Sequence, residues 1–123
     1  MRSLIVVLGL LAGTAAHAAP ITLKCTDSSG QPVADLTVDI AAGQMQWSIT
    51  KYRITQHDPR YISAQEVVPS DRVGGETWVL DRVTGQYVRA GVAILATRFS
   101  GPTPVDPKLQ SFSYTGVCNA PVL

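Results

Sequence analysis

The chain of 123 residues carries two cysteines, Cys25 and Cys118, one near the start of the part that follows residues 1–18 and one near its end. In an exported chain, an even count at the extremes reads as one disulfide. A bridge closing so long a loop restricts the unfolded ensemble by the equivalent of about 4 to 5 kcal/mol in the chain-entropy picture. It also makes a topological demand: the first and last structured segments must approach within about 6 Å between Cα atoms. A sheet that closes on itself meets that demand.

Export is read from residues 1–18. Met1-Arg2-Ser3 is followed by the apolar run Leu4-Ile5-Val6-Val7-Leu8-Gly9-Leu10-Leu11-Ala12 and then by Ala16-His17-Ala18. One positive charge, a short apolar core and an A-x-A site describe a secretory signal peptide. The apolar run is shorter than the roughly 20 residues that cross a bilayer. Cleavage after Ala18 would leave residues 19–123 as a single domain in the periplasm or outside the cell, with no membrane anchor. Without Arg2, the ten Lys and Arg fall to nine, matching nine Asp and Glu. Those charges are scattered, whereas a nucleic-acid binder gathers a basic excess on one face. No nucleic-acid partner is expected.

The remaining sequence reads as strands. Residues 77–83 are rich in β-branched and aromatic side chains, which suit a pleated, half-buried surface. Alternation puts Trp78, Leu80 and Arg82 on one face and Val79, Asp81 and Val83 on the other. Gly85 then fits a positive-φ position in a short hairpin, a type I turn followed by a bulge, with Asp81 accepting N–H bonds from the turn. Ile21, Leu23 and Cys25 alternate inward, as do Leu36 and Val38, leaving Asp35, Thr37 and Asp39 outside. Residues 41–44 read as a hairpin connection. Met45, Trp47 and Ile49 alternate on odd positions, but Tyr52 and Ile54 on even ones, which predicts either a tight turn or a bulge at Thr50-Lys51, with a bend favoured. Residues 56–59 read as a turn, 61–68 as a strand, 69–75 as a loop and 100–107 as a proline-rich loop. Tyr87, Val92, Ile94 and Ala96 suggest one long strand with a bulge at Ala90-Gly91. Phe112, Tyr114, Gly116 and Cys118 share the side of the bridge.

These segments predict an all-β fold: a small antiparallel up-and-down barrel or meander of seven to eight strands, closed by one disulfide. A flattened two-sheet sandwich is the alternative.

Chemistry is less legible. Cysteines committed to a bridge and one histidine outside the leader, His57, leave too few ligands for zinc, and Asp35 with Asp39 reads as edge charge rather than a calcium site. No cofactor is expected. His57-Asp58 with Ser48 or Ser63 could be imagined as a nucleophilic set, but neighbours in a turn rarely orient one another that way. Glu66, Glu76 and Asp81 lack a sign of paired acid and base placement. The expectation is a non-enzymatic module that binds a protein or envelope component. Lys51, Tyr52, Arg53, Arg60 and Tyr61, with His57 between them, form the local cluster of cations and aromatics most suited to a partner. The structural alternative is a hairpin with solvated charges. A small hydrophobic-ligand carrier is a second possibility, because barrels of about eight strands can enclose one small ligand. Trp47, Trp78, Phe112 and Tyr114 pointing inward would fill that space. A small hydrolase is a third.

The leader, a cysteine in the first strand, the hairpin Asp81-Arg-Val-Thr-Gly85 and the closing Gly116-Val-Cys118 resemble small exported β-proteins of Gram-negative bacteria. That resemblance implies a compartment and a fold but no reaction. In layout the chain is also similar to periplasmic lysozyme inhibitors, which are small disulfide-tied β-barrels. It has no counterpart of their inhibitory loop, so no functional residue is carried over.

Overall fold

The computed structural model describes residues 19–69, 73–95 and 108–119. The expected signal peptide and the proline-rich loop at 100–107 lie outside the described residues. Among the described residues, nine strands form one antiparallel sheet: β1 (Ile21–Leu23), β2 (Cys25–Asp27), β3 (Leu36–Asp39), β4 (Gln44–Trp47), β5 (Thr50–His57), β6 (Tyr61–Glu66), β7 (Gly74–Asp81), β8 (Gln86–Leu95) and β9 (Lys108–Cys118). Their spatial order is β1-β3-β4-β5-β6-β7-β8-β9-β2. Consecutive strands from β3 to β9 therefore pair as a meander, and the N-terminal run lies at both ends of the order. This is a nearly closed barrel rather than a two-sheet sandwich.

The count exceeds seven to eight because residues 21–27 break at Lys24 into two strands with different neighbours. β1 pairs with β3, and β2 pairs with β9 with Cys25 opposite Cys118. The backbone of Lys24 closes the gap through Asn119: its N–H donates to Asn119 Oδ1 at 2.7 Å, and its carbonyl accepts the Asn119 N–H at 2.8 Å. The Cys25–Cys118 disulfide is formed, with 3.9 Å between the Cα atoms.

Inward positions follow the two-residue period. Leu23, Leu36, Val38, Met45, Ile62, Ala64, Trp78 and Leu80 are all at most 2% exposed and fill the interior. Three local expectations are corrected. The parity change between Trp47 and Tyr52 is a tight turn, one of the two expected forms, but at Ser48-Ile49 rather than Thr50-Lys51, with Trp47 paired to Thr50 and Ser48 at φ 54°. Ile49 is therefore at the tip and 93% exposed. The bulge is not at Ala90-Gly91, where β8 pairs in unbroken register with both neighbours; it falls between Ile54 and Gln56 on β5. Val92 consequently faces out, 62% exposed. Finally, β5 continues through His57, so the following turn is confined to 58–60, and β6 stops at Glu66.

The β7–β8 hairpin matches its sequence signature. Gly85 has φ 77°, and its N–H donates to the Asp81 carbonyl at 2.8 Å. Asp81 Oδ1 accepts the N–H groups of Val83 at 2.8 Å and Thr84 at 3.1 Å.

Candidate functional site

Alternation brings Tyr52 from β5, Glu76 and Trp78 from β7, and Arg89 from β8 into the barrel, toward the end that carries the Ser48-Ile49 turn. The Glu76 carboxylate is the centre of this group. Its Oε1 accepts from Tyr52 Oη at 2.8 Å and Trp78 Nε1 at 2.7 Å. Its Oε2 accepts from Arg89 Nη1 at 3.0 Å. The Glu76 and Arg89 side chains are only 8% and 16% exposed. The Arg89 guanidinium lies 4.1 Å from the Trp47 ring centroid and 4.4 Å from that of Tyr114. Two aromatic faces thus stabilise a cation withdrawn from water. Trp47 is fixed in turn by its Nε1, which donates to the Ala34 carbonyl at 3.1 Å. Burial pushes the Tyr52 phenol well above its ordinary value, so it remains a donor. With both oxygens engaged by three donors, Glu76 is arranged as an anchor of the interior, as buried charges require. The strand read from sequence begins at Thr77, which places Trp78 inside without reaching Glu76, two of whose three partners, Tyr52 and Arg89, come from other strands.

The cluster suggested by sequence is divided. Tyr52 is 2% exposed and belongs to the interior group. Lys51 and Arg53 are exposed on the outer face of β5 and pair across to β4 with Gln46 and Gln44. Arg60 and Tyr61 lie at the opposite end of the β5–β6 hairpin. There, Arg60 Nε and Nη2 donate to Asp81 Oδ2 at 3.3 and 3.2 Å, and the Arg60 guanidinium stands 5.4 Å from the Tyr61 ring centroid. Arg82 returns the link: its N–H donates to the Arg60 carbonyl at 2.6 Å, and its Nη1 donates to the Asp58 carbonyl. The two turns are therefore tied reciprocally.

His57, Asp58 and Ser63 border a depression of about 540 Å³ beside these turns. Asp58 Oδ1 accepts the N–H groups of Arg60 at 2.7 Å and Tyr61 at 2.6 Å, holding its carboxyl below the usual carboxylate range. Ser63 Oγ is 3.5 Å from Thr55 Oγ1, and Ser48 is at the other end of the barrel. The geometry assembles turn bonding here rather than a nucleophilic relay. Among the described residues, no group of three or more His, Cys, Asp or Glu side chains is placed to hold a metal ion.

The outer surface has two characters. Around β3 to β5 it carries Asp39, Lys51 and Arg53 among Thr and Gln. Around β7 to β9 the outward positions read Thr77 and Val79, then Val88, Ala90 and Val92, then Ser111, Ser113, Thr115 and Val117. None of these side chains is charged; the next outward position of β7, Asp81, ends the row with its ion pair to Arg60. Register places Val79 opposite Val88 and Val88 opposite Thr115, so Val79 and Val88 adjoin across strands, while Val92 stands opposite Gly75 and Ser111 and Val117 opposite Gln86. Val79, Val88, Val92 and Val117 are 43 to 62% exposed. A shallow depression of about 660 Å³ on this side is bordered by Thr77, Ala90, Val92, Ser111 and Ser113 among others. Comparison with protein-family models, curated proteins and solved structures returns no match.

Proposed function

We propose that this protein acts in the exported compartment by binding another protein through the outer face of β7, β8 and β9. The observation that carries this reading is the charge-free strip centred on Val79 and Val88. Contiguous apolar surface on a folded protein is a mark of an interaction site, and interface cores are depleted of charge. A flat row of Thr, Ser and Val suits a protein surface better than a small molecule, which needs a concave site. Binding rather than turnover is supported by Glu76, Arg89, Asp58 and Asp81, each engaged in structural bonds. The carrier alternative requires a hollow interior, whereas Trp78, Ile62, Leu80 and Leu36 are completely buried in it.

The test compares immobilised wild type, Val88→Arg and Thr37→Arg, the last on the other side of the barrel, as baits for an envelope extract. A protein retained by wild type and Thr37→Arg but lost on Val88→Arg is expected. Equal retention by all three, no retention by wild type, or turnover of a substrate that survives Val88→Arg would overturn the proposal.

A further inference from the structure

The strand that closes the barrel is held differently from the rest. β1 makes three residue pairs with β3, and β2 makes three with β9. Between them, the backbone of Lys24 is held by Asn119. This short run supplies Leu23 and Cys25 to the core, 2% and 3% exposed. Its withdrawal would leave an apolar slot bounded by the unpaired edges of β3 and β9, and such edges are templates for another strand. Residues 28–35, with Gly30 and Pro32, connect the run to β3 and are the hinge on which it could swing.

We propose that this slot accepts residues 21–27 of a second copy of the chain whenever the Cys25–Cys118 bond is absent, and that the bond keeps the strand in its own barrel. An exchanged strand re-forms the same pairs and buries the same side chains, so the contacts themselves do not distinguish the two arrangements. What favours the closed monomer is the folded hinge. Asp27 Oδ1 accepts the N–H groups of Ser29 at 2.9 Å and Gln31 at 3.0 Å, and the Val33 N–H donates to the Cys25 carbonyl at 3.0 Å. These bonds, together with the Asp27 N–H to the Gln31 carbonyl at 2.9 Å and the Gly30 N–H to the Asp27 carbonyl at 3.0 Å, compete with protein concentration. The covalent bond removes the competition.

Light scattering after refolding the full chain should show a species of twice the wild-type mass for C25S/C118S, growing with protein concentration, and none for the oxidised wild type. A second measurement co-refolds the single variants C25S and C118S with glutathione disulfide. The two remaining thiols lose two protons and two electrons to it, releasing two glutathione thiols and forming one interchain bond. Cys118 of the first variant meets Cys25 of the second in a native seam only after exchange. A mixed dimer with the Cys25–Cys118 linkage by peptide mapping and a wild-type far-ultraviolet spectrum is expected. Natively folded C25S/C118S with unchanged mass at every concentration overturns the proposal. Should that variant fail to fold, the co-refolding decides alone: no mixed dimer, or one lacking the native spectrum, overturns it.

Discussion

Glu76 and Arg89 are partners that neither could replace by solvent. Removing the carboxylate alone leaves a guanidinium between Trp47 and Tyr114 without its counter-ion, and leaves Tyr52 and Trp78 as unmatched donors. Glu76→Ala should therefore cost about 3 to 5 kcal/mol of stability by urea denaturation. Glu76→Leu combined with Arg89→Met should cost clearly less than Glu76→Ala, because it removes both charges together; an equal or larger loss would show that the pair is not coupled. The turn aspartates make a separate residue-scale contribution. Asp27 is held below its ordinary value chiefly by the Ser29 hydroxyl, and Asp58 by the N–H groups of Tyr61 and Arg60. For Asp81 burial acts upward, but the Val83 and Thr84 N–H groups and Arg60 outweigh it. In the carboxylate range the unfolded chain thus binds more protons than the folded one. Their stabilisation is present above the ordinary carboxylate value of 3.8 and is lost as pH falls through the lowered folded values. Thermal melts from pH 7 down to pH 2 should show that decline, and Asp58→Asn or Asp81→Asn should flatten it.

At the scale of elements, two glycines serve different ends. Gly85 occupies the left-handed region that closes the β7–β8 hairpin, where a side chain costs about 1 to 2 kcal/mol. Gly116 is opposite Tyr87 on β8. A methyl group there would meet Thr26 O and Tyr87 Oη and come within 2.6 Å of Tyr87 Cζ. Gly116→Ala should destabilise by about 1 to 3 kcal/mol through overpacking, and pairing it with Tyr87→Phe should recover little, since the ring carbon still collides. Urea midpoints of the three variants check both statements. The strands around Leu36, Val38, Trp78 and Leu80 were legible because alternation is a local property of the backbone. The turn after Trp47 shows in the sequence only as a switch of parity that points to Thr50-Lys51, because Ser48 is a lone turn former and Ile49 resembles a core residue until its exposure is known. Gly91 looked like a bulge; it instead lies where a Cβ would strike Phe112 Cζ and Gly75 O.

For the molecule as a whole, the bond between Cys25 and Cys118 joins the seam of a barrel whose strands from β3 to β9 pair consecutively. Reduction should lower the melting temperature clearly, with a loss of stability up to about 4 to 5 kcal/mol. Unchanged melting in dithiothreitol, with two titratable thiols in untreated protein, would contradict this. The sequence by itself determined the all-β class, most strand positions, the central hairpin and the pairing of the cysteines, because those rest on short-range periodicity, turn chemistry and a count of two. Only the tertiary structure decided that Tyr52 belongs with Glu76 and Arg89 inside, that Arg60 belongs to Asp81 rather than to a patch with Lys51, and that Val79 and Val88 stand side by side in an uncharged row across β7, β8 and β9. Each of those depends on which residues stand opposite one another across strands, and register is a property of the closed sheet, not of any one segment.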